Sequence, residues 1–341
     1  MIKRLWQSTA SRAALIAMLL LVLLAVFAPA WTPYNYREQV KNAEGEILAN
    51  MPPKIPWLQF LGIARGRTTL TDRRTEYLMD ESRYPAGCVL EIRNRRLSEK
   101  GTEYCDVVVD YYKYMKLDEG TAFWFGTDQL GRDLWTRLWR GARVSLLIAV
   151  FAVGIDLLIG VSYGAVSGYF GGKTDLLLMR FCEIVQTIPN VIICTLFILL
   201  LGRGIGTMVI ALAVRNWVET ARLSRAQFLR YRNREFVTAA QAMGVRDGRV
   251  IWRHILPNAL GPLITSATLA VPSAIFMESF LSYIGLGLPA PEPSIGTLLS
   301  DAQSLLQSHP HQVLLPAAVI ALLMTAFHLL SNGLRDAVSS E

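Results

Sequence analysis

Long apolar runs alternate with polar stretches along the chain, and this alternation predicts membrane-spanning helices. A helix needs about 20 apolar residues to cross a hydrocarbon core of roughly 30 Å. Runs of about that length occur at 13–31, 144–164, 176–201, 205–221, 260–286 and 313–330. Pro189 should bend the third run. The pattern therefore predicts an all-α polytopic membrane protein with six transmembrane helices.

The longest polar interval, residues 32–125, separates the first two predicted spans. It is too long for a connecting loop and too rich in aromatic and aliphatic residues for a disordered linker. The segments CVLEIRNRR and YCDVVVDYYKYM favour at least one β-hairpin. We therefore expect an anchor at 1–31, a folded α+β insert at 32–125 and a five-helix core at 126–341.

Two of the four cysteines, Cys88 and Cys105, fall in this insert, whereas Cys182 and Cys194 fall in or beside apolar runs. In an oxidising compartment the first pair is expected to form a disulfide, which would stabilise the insert by about 3 kcal/mol. The alternative is two unpaired, half-buried thiols in a hairpin.

Charge orients the chain in the membrane. Hydrophobic residues make up 52% of the sequence and charged residues 18%, with a net charge of +7. Residues 31–120 carry fourteen basic and fourteen acidic side chains, so the positive excess lies on loops beside the spans. Such loops face the cytoplasm. This places both termini inside and the insert outside, in the periplasm, and it disfavours a nucleic-acid partner.

The N-terminal segment MIKRLWQSTASR is basic and runs directly into the first apolar stretch. Ala28-Pro29-Ala30 imitates a signal-peptidase site. However, the apolar stretch is longer than a signal core of roughly 7 to 15 residues, so we expect an uncleaved anchor helix.

A strongly basic stretch at 221–257 contains eight arginines and two acids. It predicts two short helices. Asn233 should cap the first, which ends at Gly244, and Asp247 should cap the second, which runs up to Pro257. The apolar positions are Phe236, Val237, Ala240 and Met243 in the first helix and Val250, Ile251 and Ile255 in the second.

The same stretch resembles the "EAA" loop of permease subunits in bacterial ABC importers. The resemblance lies in Thr238-Ala239-Ala240, Gly244 and the run His254-Ile255-Leu256-Pro257. It departs from the family pattern at Thr238, where glutamate is usual, and at His254, where isoleucine is usual. Two more regions resemble signature sequences of the oligopeptide, dipeptide and nickel branch of these importers. The first is GTDQLGRD with the GARVSL that follows it, and the second is ESFLSYIGLGLP. The first of these includes Gly126, Thr127, Asp128, Gly131, Arg132 and Asp133.

The resemblance implies the type I ABC importer fold and a permease subunit of the bacterial inner membrane. In that family, the loop corresponding to 222–256 docks into a cytoplasmic ATPase, which binds ATP and Mg. The implied partners are a second permease subunit, the ATPase subunits and a periplasmic substrate-binding protein. The implied substrates are peptides, nickel chelates or peptide antibiotics of the microcin C type. The chain itself would be no enzyme and would hold no cofactor or metal.

Two acidic residues, Asp156 and Glu278, lie inside apolar runs, where a carboxylate is costly. Each could line the translocation path or form an interhelical hydrogen bond. They also support an alternative function, an ion-coupled secondary transporter that uses both as proton sites. A third reading, a membrane-anchored sensor, would need an output domain that the short tail does not offer.

Small residues recur through the second span at Gly154, Gly160, Gly164 and Gly168. This spacing lets helices approach closely, either against a second permease subunit or within this chain.

Three further patterns carry no catalytic or ligand-binding prediction. Asp128, Arg132 and Asp133 have no accompanying nucleophile, so they predict a charge-paired turn. SGYFGGKT lacks the first glycine of a phosphate-binding loop. His309 and His311 have no supporting ligands, so they predict surface positions rather than a metal site.

Overall fold

The structure is a computed structural model that describes residues 9–61, 64–81, 83–98 and 101–339; the basic residues 1–8 lie outside the described part. The principal helices are α1 (Thr9–Phe27), α2 (Leu134–Phe170), α3 (Gly172–Thr187), α4 (Asn190–Leu201), α5 (Ile205–Tyr231), α6 (Glu235–Ala242), α7 (Leu256–Leu281), α8 (Ile295–Ala302) and α9 (Pro310–Ser339). The strands are β1 (Arg67–Arg74), β2 (Val89–Leu97) and β3 (Glu103–Asp110).

Four helical segments among the described residues are long and apolar enough to cross a membrane: Ser11–Trp31, Leu134–Phe170, Asp247–Leu286 and Pro310–Asp336. The helices α3 and α4 together could form a fifth span, with a bend of 80° between them. That break contains Pro189, as predicted. The count of four or five falls below the six expected from the apolar runs.

The missing span corresponds to α5. A single helix does begin at Ile205, but it continues to Tyr231, past the predicted end at Ala221. It carries Arg215, Glu219 and Arg222 in its middle turns, so its composition is too polar for a conventional span. Close packing against α2 compensates, because it buries the apolar face of α5.

Glycines on α2 make this packing possible. A Cβ atom added at Gly164 would collide with the carbonyl oxygen of Ala221, and one at Gly160 or Gly168 would lie 2.6 or 2.7 Å from α5 atoms. At Gly154 a Cβ would meet nothing within 4 Å. Three of the four small residues therefore pack inside this chain, which decides between the two alternatives for those positions.

The insert contains a three-stranded antiparallel sheet in the order β1-β3-β2. The predicted hairpin is confirmed as β2 and β3, whereas β1 has no strong alternation in the sequence. Val107 and Val109 of β3 are fully buried and form the centre of a small core with the two insert cysteines.

The expected disulfide between Cys88 and Cys105 is not formed, and both thiols are free and buried. The strand register explains why. The carbonyl of Cys88 accepts a hydrogen bond from the amide of Asp110 at 2.8 Å, and Cys105 lies five residues earlier on β3. At about 3.3 Å per residue the pair is separated by about 16 Å along the strand, whereas a disulfide needs Cα atoms within about 7 Å.

The glycine packing generates a stability prediction. Gly164→Ala should destabilise the protein by roughly 1–3 kcal/mol, because its methyl group would collide with the backbone of α5. Gly154→Ala is the matched control, since it adds the same methyl group to the same helix in open space. Thermal unfolding in detergent would compare the two, and equal melting temperatures would contradict the packing argument.

Candidate functional site

The predicted docking loop forms two helical segments joined by a tight turn. The helix α6 ends near Gly244, which adopts the predicted left-handed conformation with φ of 75°. A turn at Asp247–Arg249 then continues through a wide π-helical turn, Val250–Ile255, into α7, which has Pro257 in its first turn. The first part of the predicted loop, 222–231, belongs to α5.

Both predicted caps are wrong. The N-cap of α6 is Arg234 rather than Asn233, and its side chain makes no capping hydrogen bond. Asp247 is the first residue of its helix rather than the cap. Its Oδ1 atom instead accepts a hydrogen bond of 2.6 Å from the Tyr169 hydroxyl, at the end of α2.

The apolar stripe of α6 divides between two environments. Val237 is buried in a cluster that also contains the predicted apolar face of the second segment, Val250, Ile251 and Ile255, together with Ala165 and Phe228. Ala240 is also buried, at 1% exposure. Phe236 and Met243 remain 40% and 77% exposed. One side of α6 is thus fixed to its own chain, and an apolar face remains open.

The predicted loop residues fall on both sides of this division. Thr238, Ala239, Gly244 and Pro257 are exposed, Leu256 is half-buried, and Ala240 and Ile255 are buried. Ala240 therefore lies on the face of α6 that is turned toward the rest of the chain. Ala239 lies on the exposed face, between Phe236 and Met243.

Tyr169 is a contact that the sequence analysis missed. Besides donating to Asp247, its hydroxyl accepts a hydrogen bond of 3.1 Å from Nε2 of Gln241 in α6. The end of α2 is thereby joined to both segments of the loop. Nothing in the sequence marks this tyrosine, because its two partners lie more than 70 positions away.

A second cluster is formed by the turn that contains the residues 126–133. Asp128 accepts hydrogen bonds from the amides of Leu130 and Arg132, each at 2.9 Å, and from Nε of Arg132 at 2.7 Å. Arg137 approaches the same carboxylate at 3.2 Å. The predicted charge-paired turn is present, with its charges almost fully buried.

This turn is covered by the chain that follows α1. The amide of Asn50 donates to the carbonyl of Asp128 at 2.9 Å, and Thr127 bonds to Met51 and Leu48. Gly126 and Gly131 have φ of 81° and 74°, and a Cβ at Gly126 would collide with the Met51 carbonyl oxygen. The signature glycines are therefore required for close backbone approach.

Asp133 caps α2 by accepting a hydrogen bond of 2.9 Å from the amide of Thr136. Its side chain is fully buried, and Oδ1 has no hydrogen-bond partner among the described residues. Burial raises the pKa of Asp133 from 3.8 to about 6, against the lowering effect of the Thr136 hydrogen bonds.

Glu278 is fully buried in a cage of serine hydroxyls. Its carboxylate accepts hydrogen bonds from Ser145 of α2 at 2.8 Å and from Ser282 at 2.9 Å. Ser145 in turn accepts a hydrogen bond of 3.2 Å from the amide of Ile295, the first residue of α8. These contacts join three helices and favour the interhelical lock over the translocation path.

Asp156 is 3% exposed, and none of the described residues donates a hydrogen bond to its Oδ1 atom. It lies on the face of α2 that packs against α5, four residues before Gly160. Asp156 follows Ser145 by eleven residues, or about 16 Å of helix, and Ser145 contacts Glu278. The structure therefore does not bring the two intramembrane carboxylates together.

His309 and His311 lie near each other, with ring centroids 6.1 Å apart. Within the described ranges, His, Cys, Asp and Glu side chains form no group of three or more that could hold a metal ion.

Comparison with known proteins places the chain in a family. The sequence model of the family described as "binding-protein-dependent transport system inner membrane component" matches residues 160–340. The model of a second family, "N-terminal TM domain of oligopeptide transport permease C", matches residues 1–53. The chain belongs to this family of ABC importer permeases. Most of the insert lies within 54–159, outside both matches.

Relatives refine the family to peptide permeases. The chain is 44% identical over 215 residues to the oligopeptide transport system permease protein OppC of Bacillus subtilis (strain 168), covering 63% of this chain and 70% of that protein. It is 46% identical over 216 residues to the dipeptide transport system permease protein DppC of the same organism, covering 63% and 68%.

Among solved structures, an inward-facing form of the MetNI methionine ABC transporter resembles the chain with a TM-score of 0.49 at 17% identity, over 59% of this chain and 96% of that one. Family membership confirms the recognised branch, the type I importer fold and the role of a membrane transport subunit rather than an enzyme.

The buried cap generates a pH prediction. The pKa of Asp133 in the folded protein is raised to about 6. The stabilising contribution of this carboxyl to the folded state is therefore fully present below pH 4 and is lost as the pH rises through 6. Asp133→Asn keeps an oxygen cap without the charge. Its melting temperature should therefore rise relative to the parent between pH 4 and 7, by the equivalent of at most roughly 3 kcal/mol.

Thermal unfolding across this pH range would measure the difference. The control is Asp133→Ala, which also lacks the titrating carboxyl but loses the oxygen cap, so it should be less stable than Asp133→Asn at every pH. A pH-independent gap between Asp133→Asn and the parent would contradict a buried, titrating Asp133.

Proposed function

We propose that this chain forms half of the translocation pathway of an ATP-driven peptide importer in the bacterial inner membrane. The exposed apolar face of α6 carries the proposal, because a small apolar patch on a basic aqueous loop suits a complementary cleft on a partner. The names of the relatives support peptides as substrates. Peptide antibiotics of the microcin C type are the narrower substrate that we propose within this class.

The proposed assembly pairs this chain with a second permease subunit, cytoplasmic ATPase subunits that bind ATP and Mg, and a periplasmic substrate-binding protein. The arginines of 222–256 support a cytoplasmic position for α6. With that orientation both termini are cytoplasmic and the 32–125 insert is periplasmic. The anchor at 1–31 and the core at 126–341 lie in the membrane on either side of the insert.

In this mechanism the ATPase cleft would grip Phe236, Ala239 and Met243. Val237 packs α6 against its own chain, and Ala240 is buried on the same side, so a movement of α6 must be shared by the helices that it contacts. Tyr169 supplies a polar connection to α2. Closure of the ATPases would then tilt the spans between inward-open and outward-open arrangements.

The ion-coupled alternative rests on Asp156, whose buried oxygen has no partner among the described residues. It loses support at Glu278, since a carboxylate held by two serines and joined to α8 is poorly placed to exchange protons with a moving path. It also leaves the exposed face of α6 without a role.

Crosslinking tests the proposed docking face. In the assembled transporter, Ala239→Cys or Met243→Cys should crosslink to the ATPase, because both side chains are exposed on α6. Ala240→Cys is the matched control and should crosslink poorly, since this position is 1% exposed. The four native cysteines are buried and should give little background.

A folded preparation with no crosslink at either exposed position, and with no associated ATPase activity, would overturn the importer proposal. Proton-driven uptake in vesicles by the same preparation would favour the carrier that uses Asp156.

Tyr169→Phe tests transmission from α6 to α2. The variant keeps the aromatic ring and loses the bonds to Gln241 and Asp247, so we expect the crosslink at Ala239→Cys to persist while peptide transported per ATP falls by about 5-fold or more. Tyr283→Phe is the control, because this tyrosine is 45% exposed and its hydroxyl makes no hydrogen bond with any described residue. An unchanged transport ratio in Tyr169→Phe would exclude the link.

A further inference from the structure

A pocket of about 380 Å³ lies beside the charge-paired turn, between the start of α2, the end of α7 and the helix α8. Three arginines, Arg132, Arg137 and Arg203, line it together with Asp128 and Asp301. The proposed function gives this pocket no role.

The two buried arginines are incompletely paired, although Nη1 of Arg137 donates to the carbonyls of Tyr36 at 3.3 Å and Pro291 at 3.4 Å. The side chains of Arg132 and Arg137 are 8% and 3% exposed, and both have Asp128 as their near partner. Arg137 Nε lies 3.2 Å from that carboxylate. Its N–H is nevertheless not aligned for a hydrogen bond, and it has no hydrogen-bond partner among the described residues. A buried guanidinium nitrogen without a hydrogen bond is costly unless another acceptor is supplied.

Asp301 of α8 is only a loose partner for these arginines. Its Oδ2 atom lies 3.9 Å from Nη2 of Arg132 and 3.8 Å from Nη2 of Arg137, beyond hydrogen-bond distance. The Asp301 side chain remains 54% exposed at the rim. Partial burial of the Asp301 carboxyl raises its pKa, and this effect exceeds the lowering of the pKa by Arg137 and Arg132.

The charges around the pocket do not cancel. Arg203 is exposed at the rim and makes no ion pair or hydrogen bond with any described residue. Glu292 also borders the pocket, but Arg37 engages it at 2.9 Å and Arg140 at 3.4 Å. Three arginines therefore face two carboxylates, Asp128 and Asp301, and the surplus charge favours an anion.

We propose that this pocket binds a carboxylate, which displaces Asp301 from Nη2 of Arg132 and Arg137. The Nη2 atoms of the two guanidinium groups both lie within 4 Å of Asp301 at the rim, and such a pair matches the two oxygens of a carboxylate. The proposed function provides two sources, the C-terminal carboxylate of a peptide substrate and an acidic side chain of the periplasmic binding protein. The inference rests on the proposed function for these sources, whereas the pocket chemistry stands on the contacts alone.

The test uses the assembled transporter in lipid nanodiscs, with trialanine and trialanine amide as probes in the absence of binding protein. Asp301→Asn removes the internal competitor and should tighten binding of trialanine by roughly 5- to 10-fold, with no change for the amide. Arg137→Gln should weaken trialanine binding. If that variant fails to fold, Asp301→Asn still tests the site. Glu183→Gln, with the same charge change in a surface ion pair on α3, is the control.

A second arm measures docking of the binding protein to the same variants. Tighter docking to Asp301→Asn, with trialanine binding unchanged, would assign the carboxylate to the binding protein. Tighter trialanine binding would assign it to the peptide. If Asp301→Asn changes neither affinity, or tightens trialanine and its amide equally, the carboxylate site is overturned. The ATPase crosslink at Ala239→Cys is measured separately, so failure of the proposed function remains distinguishable.

Discussion

The close approach of α2 and α5 is the contact on which the other features depend. Gly160, Gly164 and Gly168 bring the two backbones so near that a single methyl group would collide. This contact shelters the apolar side of α5, a helix too polar to be a conventional span. It also aligns α2, whose 37 residues extend for about 55 Å. One continuous helix therefore carries Ser145 about a third of the way along its length and Tyr169 at its end, roughly 36 Å apart.

Those two residues link α2 to different elements of the fold. Ser145 bonds to Glu278 and accepts from the start of α8, and Tyr169 bonds to both parts of the docking loop. In a buried setting such hydrogen bonds are costly to break. The loop is thus joined through α2 to the segment that borders the arginine pocket, which is the connection that the proposed alternating-access mechanism requires.

The charge-paired turn at residues 126–133 shows how buried charge is tolerated in this fold. Asp128 satisfies its oxygens with backbone amides and with Arg132, and the chain after α1 covers the turn and excludes water. Glu278 uses neutral hydroxyl donors instead. The insert contributes little to either site through its sheet. Its N-terminal part, which follows α1, makes the contacts with the core.

The sequence by itself determined the elements and the family. Apolar runs located the helices, Pro189 and Gly244 located two breaks, and the signature segments identified the permease branch. Periodicity shows which residues share a face, but it does not show what covers that face. Only the tertiary structure decided that Val237 and Ala240 turn inward while Phe236 and Met243 stay exposed. It also decided that the glycines meet α5, and that strand register keeps Cys88 from Cys105. Each of these outcomes depends on the distance between segments far apart in the chain, and local patterns carry no information about that distance.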